Sequence, residues 1–154
     1  MMNAYEALLD EACDIGFEVK EKPLRFNNGR IKGNRIAIRQ NIDTTTEKGC
    51  VLAEELGHYY TSVGNIIDMD NSSNRKQERQ ARLWAYNKQI GLKGLIRAYE
   101  HGCTASHEIA EYLDVTEEAL QECIEFYRDK YGEYKTVEHY IIFFIPHLAV
   151  LKKI

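Results

Sequence analysis

The chain has few of the residues that break, staple or anchor a polypeptide. Two prolines and ten glycines in 154 residues leave little room for a long disordered linker. The four cysteines, Cys13, Cys50, Cys103 and Cys123, are scattered and form no C-x-x-C pair, so free thiols are expected rather than a disulfide framework. No apolar run approaches the roughly 20 residues that a membrane helix requires; the longest, YIIFFIPHLAVL, is interrupted by Pro146 and His147. Positive charge is not in excess either. With 20 Lys and Arg against 24 Asp and Glu the net charge is −4, which argues against a general binder of nucleic acid or of acidic membranes. The opening MMNAYEALLDEACD is acidic and amphipathic, without the basic-then-apolar order of a secretory signal, so a cytoplasmic location is expected.

What is present is the composition of an ordinary globular protein, 44% hydrophobic and 29% charged. Tyr5, Leu8, Leu9 and Ala12 recur at helical spacing and predict a first helix ending near Gly16. From Phe17 to Arg39 the texture changes to short alternating runs punctuated by Asn27-Asn28-Gly29 and Gly33-Asn34, read as two or three strands joined by tight turns. Thr44-x-x-Glu47 offers a capping box for a helix from about Glu47 to Ser62. After a loop, VGNIIDMDNSSN, a charged helix capped by Ser73 or Asn74 is expected to reach Gly91. Further helical segments are expected after Gly94, then at ASHEIAEYL, with Ser106 as cap, and at TEEALQECIEFYRDKYG; the last 20 or so residues favour a hairpin turning at Pro146-His147.

The informative stretch is CVLAEELGHYYTS, residues 50–62, centred on Glu54-Glu55-Leu56-Gly57-His58. In the zinc-peptidase pattern H-E-x-x-H, the residues at i and i+4 lie on one helix face and grip one metal. The intervening Glu acts as general base on the metal's water. Here Glu54 stands at the first ligand position, Glu55 at that of the base and His58 at the second ligand position. A carboxylate is a legitimate zinc ligand. A third ligand must come from another element. Glu78 lies 20 residues after His58, and Ala81, one turn on, is small enough to let its helix pack close; Asp68 and Asp70 on the intervening loop are alternatives.

These residues carry a resemblance to the ImmA/IrrE metallopeptidases. The strand run GRIKGNRIAIRQNID, the helix VLAEELGHYY and the Glu78-x-x-Ala81 segment with Trp84-Ala85 all share it, over roughly residues 15–90. The stretch ASHEIAEYLDVTEEALQECIEFYRDKYG is also similar to the helical segment that phage members carry after the peptidase core. The resemblance implies Glu54, His58 and Glu78 as metal ligands and Glu55 as the base. It also implies zinc as the metal, and cleavage or inactivation of a helix-turn-helix repressor that silences a prophage or mobile element. Glu54 departs from the family's histidine. With a divalent ion, a His, His, Glu site carries one net positive charge and a Glu, His, Glu site none. The neutral site withdraws less electron density from a coordinated water and is more tolerant of manganese or iron.

Other features have blander readings. His107-Glu108-x-x-Glu111 repeats the ligand spacing, but Glu108 reads as the first-turn acid of a short helix. Cys50, four residues before Glu54, is expected to be a buried structural thiol, and Tyr59, Tyr60 and Trp84 to be core aromatics rather than a substrate cleft. Residues 106–131 have helix-turn-helix spacing, yet Glu117, Glu118, Glu122 and Glu125 stand where a DNA-reading helix needs basic or amide side chains, so no direct nucleic-acid partner is expected. The expectation is therefore an α+β fold: a small twisted antiparallel or mixed sheet on zincin-like metal-site helices, with a helix-turn-helix-like segment and a β-hairpin after it. Residues 1–92 would form the metallopeptidase-like core and residues 93–154 the helical pair and hairpin. The competing function is a non-catalytic anti-repressor that keeps the peptidase fold as a binding surface.

Overall fold

The computed structural model describes residues 2–62 and 71–154, with the side chains of 71–73 set aside. Along them run α1 (Ala4–Asp14), β1 (Glu18–Lys22), β2 (Gly29–Lys32), β3 (Arg35–Arg39), α2 (Thr45–Thr61), α3 (Asn71–Gln89), α4 (Gly91–Glu100), α5 (Ser106–Leu113), α6 (Glu117–Tyr131), β4 (Tyr134–Val137), β5 (Tyr140–Phe143) and β6 (Ala149–Lys152). The fold class is α+β, as expected. The chain divides into two compact units, Met1–Ala85 and Tyr86–Ile154. Among the described residues no helix is long and apolar enough to cross a membrane.

In the first unit, Asn3 opens α1 through a reciprocal cap: its side chain accepts from the Glu6 N–H at 2.8 Å, and the Glu6 carboxylate accepts from the Asn3 N–H at 3.1 Å. The sheet is mixed, with order β1-β3-β2; β1 runs parallel to β3, and β2 antiparallel to it. This corrects the reading of Asn27-Asn28-Gly29 as a tight turn. β1 and β2 each pair with β3 and not with each other, so Gly29 begins a strand instead of closing a hairpin. Gly33-Asn34 is the two-residue turn, with Gly33 at φ +60°, the left-handed backbone that glycine adopts without a Cβ clash. One face of the sheet sends Ile36 and Ile38 into a core shared with Tyr5, Leu8 and Ala12 of α1 and Leu52, Ala53 and Leu56 of α2. Each fully buried Leu or Ile side chain there contributes about 1.5–3 kcal/mol. The Thr44 hydroxyl accepts from the Glu47 N–H at 3.1 Å and starts α2 at Thr45, two residues before the expected start.

In the second unit, α4 begins at Gly91, and Gly94 lies inside it rather than ahead of it. A Cβ at Gly94 would stand 3.4 Å from Leu113 Cδ2, within ordinary contact distance of α5. Ser106 is the first helical residue of α5 and not its cap. The Glu108 carboxylate does the capping instead, accepting from the N–H groups of Thr104 (3.2 Å) and Ala105 (2.9 Å) and from the Thr104 hydroxyl (3.0 Å). Asp114, left-handed at φ 54°, ends α5, and Thr116 caps α6 by accepting from the Ala119 N–H at 3.1 Å. The expected terminal hairpin is β5–β6, with Pro146 and His147 in its connection; β4 adds a third antiparallel strand. Leu120, Cys123, Tyr127, Ile142 and Phe144 are fully buried in this unit.

Candidate metal centre

α2 is held on the first sheet through Leu52, Ala53 and Leu56, and that orientation decides where the residues between them go. Glu54 and His58, one turn apart, are half-buried on a flank, while Glu55 turns inward and is only 8% exposed. α3 comes against that flank at Gly57. A Cβ there would collide with the backbone carbonyl of Ala81, itself fully buried. Glycine in a helix interior costs about 1 kcal/mol against alanine; at position 57 it permits the close helix approach that brings Glu78 over. Ala81 serves as expected; the need for Gly57 is read only from the structure.

Glu54, His58 and Glu78 each offer one ligand atom, and these atoms lie within 4.8 Å of one another. His58 Nε2 is 3.0 Å from Glu78 Oε2. Arg82, one turn beyond Glu78, completes the cluster, its Nε–H donating to Glu54 Oε1 and to Glu78 Oε1, each at 3.2 Å. The two oxygens of Glu78 are thus divided between Arg82 and His58. Sequence reading passed over Arg82, although its i+4 spacing from Glu78 is the signal of a helical ion pair.

The electrostatics arise from crowding two carboxyls and an imidazole into a partly dry place. Burial, and then the neighbouring Glu78, push Glu54 up to about 7, with Arg82 opposing. Glu78 is held down to about 2, first by the His58 hydrogen bond and then by that of Glu54. His58 is raised, chiefly by its hydrogen bond to Glu78. Glu55 is raised, foremost by burial. Its Oε2 is buried without a hydrogen-bond partner among the described residues. Gly29 of β2 makes room for it; a Cβ there would stand 2.9 Å from Glu55 Cγ.

The other candidates do not join the group. His107 and Glu111 are exposed on α5, and among the described residues the cluster able to hold a metal is Glu54, His58 and Glu78. Asp68 and Asp70, the alternative third ligands, lie outside the described residues, as does the loop that carries them. Cys50 is half-buried and stays out of the cluster. Tyr59 and Tyr60 are not core residues. Each is 47% exposed, in an aromatic row in which Phe17 meets Tyr59 edge-on at 4.8 Å and Tyr60 stacks on Trp84 at 4.9 Å. They fall near the end of α2, past the turns that face the sheet.

Two carboxylate oxygens and one imidazole nitrogen form a donor set suited to zinc, manganese or iron. Their spacing is close to the roughly 3–4 Å that separates ligand atoms around one such ion. Glu55, on the same helix as Glu54 and His58, keeps one buried oxygen without a hydrogen-bond partner among the described residues, and a carboxylate so placed can take up a proton. A family model described as the IrrE N-terminal-like domain, of a peptidase family, matches residues 15–125. No curated protein and no solved structure gives a significant match.

Proposed function

The chain belongs to the peptidase family of IrrE N-terminal-like domains, and from that premise we propose that it is a metal-dependent endopeptidase acting as an anti-repressor in the cytoplasm, with the helix-turn-helix repressor of a phage or mobile element as its substrate. The observation that supports this reading most is the convergence of Glu54, His58 and Glu78 from two helices beside the buried Glu55. A divalent metal held there, zinc before manganese or iron, would supply Lewis acidity toward a carbonyl and toward water. The chain's own residues do the rest. Glu54, Glu78 and His58 would hold the ion, two carboxylates and one neutral nitrogen from two helices. Arg82 orients both carboxylates and adds one positive charge to a site whose donors and divalent ion would sum to zero. Glu55 accepts the proton of the attacking water at its Oε2 and passes it to the leaving amine. Burial keeps that oxygen free of competing donors among the described residues.

One observation favours a second reading, a non-catalytic anti-repressor. The Arg82 Nε–H donates to both Glu54 and Glu78, so the protein itself supplies a positive partner for the two carboxylates. The test separates the two. Metal content of the purified protein is measured by mass spectrometry, and the protein is then incubated with the repressor of its own genetic element. We expect about one divalent ion per chain and a discrete cleavage. Glu55→Gln should lose cleavage by about 100- to 10,000-fold while keeping metal and partner binding. If Glu55→Gln relieves repression as well as the wild type does, the binding-only reading holds.

A further inference from the structure

The outer face of the first sheet is basic, in a chain whose net charge is −4. Strand alternation sends Ile36 and Ile38 to the core and the residues between them to the opposite face. At the centre of that face Ala37 is flanked in register by Lys20 of β1 and Arg30 of β2; the next row sets Arg35 between Glu18 and Lys32. The small side chain of Ala37 leaves a cleft of about 320 Å³, rimmed by these cations and by Lys22. Glu18 is the acid on the rim, and it is engaged by Lys20 at 3.0 Å and Arg35 at 3.9 Å. Lys22, Arg30 and Lys32 form no ion pair among the described residues. Cations this close repel one another unless an anion comes between them.

β2 is also an edge strand. The Asn28 carbonyl accepts from the Arg39 N–H at 2.7 Å, so Asn28, Arg30 and Lys32 turn their backbone groups toward β3. By the antiparallel alternation, those of Gly29 and Ile31 face the open edge. That edge starts beside the buried carboxylate, because Gly29 packs on Glu55. A free row of N–H and C=O groups is a template for another strand.

We propose that the open edge of β2 and the basic face beside it dock the partner protein through an extended segment with acidic residues at alternate positions. The segment's backbone pairs with Gly29 and Ile31, and its carboxylates meet Arg30, Lys32 and the Ala37 cleft. The choice of a protein occupant over a nucleic acid rests on the peptidase reading and on the continuity of this edge with Glu55.

The test uses the full-length protein, stripped of metal with a chelator so that nothing is cut, and fluorescein-labelled peptides of about ten residues read by anisotropy. A peptide alternating Thr and Glu should bind, and salt should weaken it. A block isomer of the same composition should bind several-fold more weakly, because only alternation puts every carboxylate on one face. The double variant Arg30→Glu with Lys32→Glu should lose at least about tenfold for the Glu peptide and gain for its Lys counterpart. An unchanged far-UV circular dichroism spectrum and melting temperature in that variant show that its fold is intact. Equal binding of the two isomers, indifference to the charge swap, or displacement of the peptide by a short oligothymidylate at lower concentration would each overturn the proposal. The measurement needs neither metal nor cleavage, so its failure leaves the peptidase reading standing, and failure to cleave leaves this one.

Discussion

A carboxylate at position 54 alters the charge of the site more than its shape. Glu54 and His58 keep the i, i+4 spacing of a metal pair, and the fold brings Glu78 to them. What differs is one negative charge, and Arg82 lies 3.2 Å from the oxygen that carries it. Substituting Glu54→His removes that charge and leaves Arg82 to Glu78 alone. We predict that the variant binds zinc several-fold more tightly in competition with a chromophoric chelator. Its cleavage should be no slower than wild type, with a pH optimum displaced downward. Unchanged affinity would mean that Arg82 already supplies the compensation. Glu54 and His58 were legible from their i, i+4 spacing, and Glu78 from the family resemblance. The guanidinium was not, because a helical Glu-x-x-x-Arg pair is so often a solvated surface contact.

At the scale of elements, the α2–α3 pair is where the site is made or lost. Substituting Gly57→Ala drives a methyl group into the Ala81 backbone, which cannot yield as a side chain would. The clash costs about 1–3 kcal/mol and outweighs the helix propensity gained. Far-UV circular dichroism of the variant should stay helical while zinc affinity falls by at least about tenfold. The same pair sets a pH dependence for the metal-free protein. Glu54 is raised to about 7 and His58 is raised as well, so folding binds protons at both. Their contribution is complete below the unfolded values and is lost as pH rises through the folded ones. Glu78, lowered to about 2, contributes above its ordinary range and loses that contribution only as pH falls toward 2. Thermal melts in chelator should therefore peak near about pH 5 and decline toward pH 8, and saturating zinc should recover most of the loss at pH 8. A flat chelator profile would mean that these groups titrate alike in folded and unfolded chains.

For the whole molecule, the helix-turn-helix spacing of α5 and α6 is set against the charge of α6. Glu117, Glu118 and Glu125 are exposed on α6, where phosphate would be repelled. We predict no sequence-specific duplex binding by the full-length protein at physiological salt in a mobility-shift assay. Replacing His107 and Glu111 together with alanine should leave its metal content unchanged, because neither belongs to the group able to hold a metal among the described residues. Periodicity and caps determined most of the helices and strands, and the i, i+4 spacing on α2 put Glu54 and His58 on one helix flank, because these are local properties written within a turn or two of chain. Only tertiary structure decided that β1 lies parallel to β3 with β2 on the open edge. It also decided that Gly29 clears space for Glu55, that Tyr59 and Tyr60 reach solvent, and that Arg82 bridges two carboxylates. Each of these joins residues more than ten positions apart or sets a side chain against solvent, and such outcomes are chosen by packing, which no local pattern encodes.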